Sequence, residues 1–129
     1  MKRTQYAISF AMLLNVAAIA LHLCILTGLI PYEITWGGRL ENAQQMYVFE
    51  SISIAVLLPL LWALNWVRSK PFGLGIRILL WIYFVLFSLN TIGNLFAKTN
   101  FEKAFAGVTL FQAVVLGMIL FRKQQSVQK

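Results

Sequence analysis

The chain has 129 residues, of which 60% are hydrophobic and 12% are charged, with a formal net charge of +7 and a mean hydropathy of +0.75. A soluble domain carries about 25% charged residues, and a small domain leaves much of its surface in contact with water. So short and apolar a chain cannot cover its hydrophobic residues in water. This excludes a soluble enzyme, a nucleic-acid-binding domain and a disordered tail.

Four apolar segments follow one another along the chain, and each is long enough to cross about 30 Å of hydrocarbon as a helix. They are too continuously apolar to be barrel strands, in which apolar and polar residues alternate. We therefore predict an all-α fold, a single domain built as a bundle of four transmembrane helices. The predicted spans are residues 6–30, 47–67, 78–96 and 104–121.

Two prolines mark the first half of the predicted bundle. Pro31 follows the first span and predicts the end of the first helix, since proline cannot continue a helical hydrogen-bond ladder. It opens the longest connection, residues 31–46. Pro59 lies inside the second span and predicts a local break in the helical hydrogen bonding there.

Two pairs of residues have the spacing of a capping box, in which a side chain accepts a hydrogen bond from a backbone N–H three residues later. Asn42 is followed by Gln45, and Thr99 is followed by Glu102. Both pairs lie ahead of an apolar segment. The pattern predicts that the second and fourth helices begin in the preceding loops.

Basic residues segregate to one side of the predicted bundle. On the side of both termini lie Lys2, Arg3, Arg68, Lys70, Arg77, Arg122, Lys123 and Lys129, whereas Arg39, Lys98 and Lys103 lie on the other. Cytoplasmic loops carry an excess of lysine and arginine. We therefore expect both termini in the cytoplasm, residues 31–46 outside, and basic residues that contact anionic lipid and not nucleic acid.

Polar side chains inside the spans are the strongest indication of a site, because hydrocarbon penalises an unpaired polar group. The candidate pocket residues are His22, Glu50, Asn90, Asn94 and Gln112. We predict that they form a pocket that opens to the outside. Glu50 would be the acid, base or cation-binding group and His22 its proton partner, while the three amides would orient a ligand. Helical rise places His22 about 12 Å and Glu50 about 4.5 Å below the outer ends of their spans.

The loop above this pocket supplies candidate residues for its mouth, namely Glu33, Trp36 and Arg39. A purely structural alternative stays open for the polar residues, because interhelical hydrogen bonds between such side chains are common in membrane proteins. In that alternative Glu50 pairs with Arg39 or Lys98 at the level of the lipid headgroups.

Other site chemistry finds little support in the sequence. Cys24 is the single cysteine, so no intramolecular disulfide can form. One histidine, one cysteine and one nearby carboxylate match no metal-ligand spacing, and Ser51 and Ser53 have no assignable base. We expect no metal and no cofactor, and no catalytic residue can be assigned.

Three segments resemble a group of small four-span bacterial integral membrane proteins. They are PYEITWGGRL at residues 31–40, MYVFESIS at 46–53 and LNTIGNLFAKTNFEK at 89–103. The resemblance covers nearly the whole chain. It implies a multi-pass protein of a bacterial inner or plasma membrane, and it carries no activity with it.

Three functions remain as hypotheses at this point. The first is a non-catalytic accessory or lipid-interacting membrane protein, with the bilayer or another membrane protein as its partner. The second is a protein, or an enzyme, that binds a small amphiphilic molecule or lipid in the pocket around Glu50. The third is a transporter or channel, which would require a homo-oligomer because four helices seldom enclose a path. We favour a non-catalytic role over an enzyme, since fold alone implies no activity.

Overall fold

The computed structural model describes residues 2–36 and 39–122, and Lys123 and Lys129 of the basic set lie outside this range. Within it, the chain forms four long helices and no strand, together with a short 3-10 helix at Tyr32–Ile34. All four helices are long and apolar enough to cross a membrane, which confirms the all-α prediction. They are α1 at Lys2–Leu26, α2 at Ala43–Ser69, α3 at Leu74–Leu95 and α4 at Asn100–Leu120.

The four helices pack as two hairpins, α1 with α2 and α3 with α4, which meet mainly through α1 and α4. Contact between α2 and α3 is sparser. The centre of the bundle holds fully buried leucines, among them Leu60, Leu64, Leu80 and Leu116. Large apolar side chains such as Leu13 also cover the outside of the bundle. A helix that is apolar on all sides suits a lipid environment.

α1 ends earlier than the proline rule predicted. The helix stops at Leu26, and Gly28 follows with a φ of +76°, a conformation that glycine adopts without steric cost. The backbone N–H of Leu29 then donates to the carbonyl of Cys24 at 2.9 Å, which closes a Schellman-type helix end. The prediction that Pro31 ends this helix was therefore wrong.

The observed helix limits change the expected levels of two site residues. His22 lies four residues before the end of α1, or about 6 Å along the helix axis, and not 12 Å. Glu50 lies seven residues after the start of α2, or about 10 Å, and not 4.5 Å. Measured from the loop ends of their helices, the two residues thus differ in level by about 4 Å, whereas the predicted levels differed by about 7.5 Å.

Both predicted helix caps are present. The side chain of Asn42 accepts a hydrogen bond from the backbone N–H of Gln45 at 2.9 Å, and α2 begins at the next residue, Ala43. The side chain of Thr99 accepts from the N–H of Glu102 at 3.2 Å, directly before α4. Each cap satisfies a backbone donor that a helix start leaves unpaired.

Neighbouring helices donate hydrogen bonds to α2 just ahead of Pro59. The Tyr83 hydroxyl of α3 donates to the carbonyl of Val56 at 2.5 Å, and Asn15 Nδ2 of α1 donates to the carbonyl of Leu57 at 3.0 Å. Proline is tolerated in transmembrane helices because neighbouring side chains satisfy nearby backbone groups. These two bonds also link three helices at the middle of the bundle.

We expect Tyr83→Phe to lower the free energy of unfolding by about 1 kcal/mol, because it removes the donor to Val56 and retains the ring. The measurement is reversible unfolding in mixed detergent micelles. Tyr6→Phe is the matched control, because the Tyr6 side chain is exposed and its hydroxyl has no hydrogen-bond partner among the described residues. Equal stability of the Tyr83 variant and wild type would contradict a structural role for this hydroxyl.

Candidate functional site

The candidate site is built around Glu50, whose side chain is 0% exposed. Its Oε2 atom lies 2.5 Å from Nδ1 of His22 on α1, within hydrogen-bond distance. Its Oε1 atom accepts a hydrogen bond from the indole N–H of Trp36 at 2.8 Å. Burial of a carboxyl group is costly unless its oxygens are hydrogen-bonded, and here two different segments supply the partners.

Trp36 reaches Glu50 from the long loop in an uncommon backbone conformation. Its φ is +54°, which few residues other than glycine adopt. The indole ring packs against Phe49 with ring centroids 4.9 Å apart. Thr99, the cap of α4, donates a hydrogen bond from its hydroxyl to the carbonyl of Ile34 at 3.3 Å. Contacts with α2 and with the start of α4 thus fix the loop that presents Trp36.

A cavity of about 260 Å³ extends between the four helices beside this cluster. Residues of every helix and of the long loop line it. The structure brings all five predicted pocket residues to its wall, together with Trp36 from the predicted mouth: His22, Glu50, Asn90, Asn94 and Gln112. Glu33 and Arg39, also predicted at the mouth, are exposed and do not line the cavity.

The partner of Glu50 differs from the structural alternative considered above. That alternative paired Glu50 with Arg39 or Lys98, but its carboxyl group instead contacts His22 and Trp36. The difference follows from the packing of α1 against α2, which places His22 beside Glu50.

Two amide side chains face the cavity from the middle of the bundle. Asn15 is 1% exposed and Gln112 is 2% exposed. Asn15 Nδ2 donates to the carbonyl of Leu57 at 3.0 Å, and Gln112 Nε2 donates to the carbonyl of Ala11 at 2.9 Å. A backbone carbonyl can only accept, which fixes the orientation of both amides.

The oxygen atoms of these two amides are left without a partner. Within the part of the chain that the structure describes, neither Asn15 Oδ1 nor Gln112 Oε1 receives a hydrogen bond, although both are buried. Both residues line the cavity. An unsatisfied buried acceptor costs about 1–3 kcal/mol. A molecule with hydrogen-bond donors in the cavity would remove this cost.

The remaining polar wall of the cavity also favours hydrogen-bond donors. The carboxyl groups of Glu50 and Glu102 line it, and no lysine or arginine is part of the described wall. Hydroxyl, amide and amine hydrogens would find acceptors here, whereas a phosphate or carboxylate would find no cationic partner. The cavity therefore offers hydrogen-bond acceptors within a lining that is largely apolar.

The predicted site did not include several polar residues of the wall, among them Asn15, Glu102 and Thr109. Asn15 shares a helix face with His22, and that spacing could have included it in the site. Glu102 was interpreted only as part of a helix cap. Thr109 accepts a hydrogen bond from the Thr91 hydroxyl at 2.9 Å, a contact that depends on how α3 and α4 align.

No group of three histidine, cysteine, aspartate or glutamate side chains is arranged to hold a metal ion among residues 2–36 and 39–122. Comparison with protein-family models, curated proteins and solved structures finds no match for this chain. The four apolar helices are consistent with a multi-pass integral membrane protein. Any more specific function must be argued from the cavity and its polar wall.

A double-mutant cycle on the His22–Glu50 pair provides a test of the site geometry. We expect His22→Leu and Glu50→Leu each to destabilise the fold, because each leaves a buried polar partner unpaired. The double variant should be more stable than the sum of both losses predicts, by about 1–3 kcal/mol. The measurement is the free energy of unfolding in mixed micelles.

The matched control is a cycle between His22→Leu and Glu33→Leu, since the Glu33 side chain is exposed. Its coupling energy should be below about 0.5 kcal/mol. Equal coupling in both cycles would contradict a direct His22–Glu50 interaction.

Proposed function

We propose that this protein is an integral membrane protein that binds a small amphiphilic molecule in the cavity between its four helices. The observation that carries the proposal is the pair of buried, unpartnered oxygens, Asn15 Oδ1 and Gln112 Oε1, which belong to two residues that line the cavity. Native structures seldom leave such groups unsatisfied. A bound ligand supplies the missing donors and explains why two amides occupy the middle of an apolar bundle.

The proposed ligand has an apolar body and at least one hydroxyl, amide or amine group. An acyl chain alone has no donor for the two oxygens, so it does not meet the chemistry of the wall. The cavity of about 260 Å³ lies just below the roughly 300–1,000 Å³ of pockets for drug-sized ligands. The ligand is accordingly smaller than most drugs.

Glu50, His22 and Trp36 form the second polar part of the proposed binding site. His22 and Trp36 hold the carboxyl group of Glu50 at the cavity wall, where its oxygens retain lone pairs for a ligand donor. The site thus offers acceptors at the middle of the bundle and again toward the long loop. We propose binding, and no chemical conversion, as the role of this arrangement.

The charge distribution supports an orientation for the proposed site. We propose that both termini lie in the cytoplasm of a bacterial cell and that the long loop lies outside, following the excess of lysine and arginine on the termini side. The cavity, which reaches Trp36 in that loop, then opens toward the outer face of the cell membrane.

Native mass spectrometry of protein extracted with its own lipids tests the ligand. We expect wild type to retain one defined small molecule that Gln112→Met loses, because methionine keeps the side-chain length and removes the amide, both its oxygen and its donor to Ala11. Gln44→Met is the matched control, since Gln44 is exposed and outside the cavity. It should retain the ligand as wild type does.

A second variant separates loss of the ligand from loss of the fold. Ala18 lines the cavity, and Ala18→Phe would fill it without removing any polar group. We expect Ala18→Phe to exclude the ligand while its helical circular dichroism remains that of wild type. Heterogeneous bulk lipid on all variants, with no defined molecule on wild type, would refute the proposal.

The orientation is tested by cysteine labelling in intact bacteria. Cys24 is the single native cysteine, so Cys24→Ala gives a clean background for Arg39→Cys and Arg77→Cys. A membrane-impermeant maleimide should label Arg39→Cys in intact cells, and Arg77→Cys only after permeabilisation. The reverse pattern would show that the cavity opens to the cytoplasm.

A further inference from the structure

A second cavity lies at the end of the bundle where α1 and α3 begin and α2 and α4 end, which we call the basic end. Its volume is about 240 Å³. Arg68, Lys70 and Arg122 line it, and its apolar wall includes Ile8 and Ile119. The cations come from the last turn of α2 and from the residues that follow α2 and α4. The start of α1, the end of α2 with the residues after it, and the end of α4 with Arg122 thus line one basic cavity.

Two cations of this cavity, Arg68 and Lys70, contact neutral side chains. Arg68 Nη1 donates to the hydroxyl of Ser9 at 3.3 Å, and the Lys70 ammonium lies 4.5 Å from the ring centre of Trp66. No aspartate or glutamate side chain lies at the basic end. The four acidic residues of the chain all lie in the opposite half of the bundle or in the long loop: Glu33, Glu41, Glu50 and Glu102.

We propose that this cavity binds the phosphate group of an anionic phospholipid. Arginine and lysine together supply the charge and the hydrogen-bond donors that a phosphate requires. Basic pockets between transmembrane helices are suited to lipid headgroups. The proposal is independent of the ligand in the central cavity, because the two cavities share no residue.

The apolar wall favours a lipid over a soluble phosphate ion. Ile8, Val67 and Ile119 belong to membrane-length helices and line the same cavity as the cations. A lipid places its phosphate at the ends of such helices and its glycerol and acyl groups against the apolar side chains beneath. A free phosphate ion would contact the basic side chains of the cavity and gain nothing from its apolar wall.

The test is native mass spectrometry of the full-length protein in micelles with phosphatidylglycerol or phosphatidylcholine of identical acyl chains. We expect wild type to retain one phosphatidylglycerol with clear preference over phosphatidylcholine. Arg68→Gln with Arg122→Gln should weaken phosphatidylglycerol binding about 30-fold, or about fivefold for each cation removed. Bound lipid is counted against total lipid across a titration.

The matched control removes the same charge at the same end, outside the cavity. Arg3→Gln with Arg77→Gln should weaken phosphatidylglycerol binding by less than about twofold, since neither residue lines the cavity. Should the Arg68 double variant fail to fold, Arg122→Gln alone decides the question, because Arg122 is exposed and follows the end of α4. Its expected effect is about fivefold.

Three results would overturn the proposal. One is equal retention of both lipids by wild type, and another is an equal loss of binding in the two double variants. The third comes from a separate arm with inorganic phosphate. Displacement of phosphatidylglycerol from wild type by millimolar inorganic phosphate would identify a soluble anion as the occupant, whereas continued retention of the lipid supports the lipid site.

Discussion

The carboxyl group of Glu50 is wholly buried in an apolar bundle, and the loop end of the molecule is arranged around its two oxygens. A carboxyl group removed from water needs a partner for each oxygen, or its burial costs several kcal/mol. His22 meets one oxygen because α1 packs against α2 and places it beside Glu50. Trp36 meets the other because the loop after α1 folds back over α2.

The loop that contains Trp36 connects the buried carboxyl group of Glu50 to the start of α4. Trp36 is held in a conformation with positive φ, which persists only where neighbouring contacts determine it. One of those neighbours is Phe49, and the bond from Thr99 to Ile34 ties the loop to the start of α4. One buried carboxyl group thus links α1, α2 and the loop, and the loop in turn contacts α4 beside the central cavity.

The spans and caps were accessible from sequence because they depend on local rules. A continuous apolar run indicates a span by length alone, and the Asn42 and Thr99 caps need only residues three positions apart. The end of α1 was harder, since a glycine that adopts positive φ competes with a proline three residues later. Gly28 ends the helix first.

The sequence indicated several of the polar residues that line the cavity, but it did not indicate the hydrogen bond from Trp36 to Glu50. Polar residues in apolar spans predicted a pocket that contains Glu50, since hydrocarbon leaves few other roles for them. Its partners depend on the loop path, and no propensity rule assigns a positive φ to Trp36. The helix face that Asn15 shares with His22 is visible in the sequence, but its hydrogen bond to Leu57 depends on how α1 packs against the Pro59 region of α2.

The central cavity and the basic cavity differ in chemistry, so each is suited to a different class of ligand. The described wall of the central cavity holds oxygen acceptors and no lysine or arginine, so a phosphate would find no cationic partner there. The basic cavity presents guanidinium and ammonium groups, which would repel an amine ligand. α2 contributes to both, with Glu50 toward one end and Arg68 at the other. A ligand and a lipid can therefore occupy the protein together without competing for a site. A lipid at the basic end that stabilises the helix ends would leave the central cavity free to bind its own ligand.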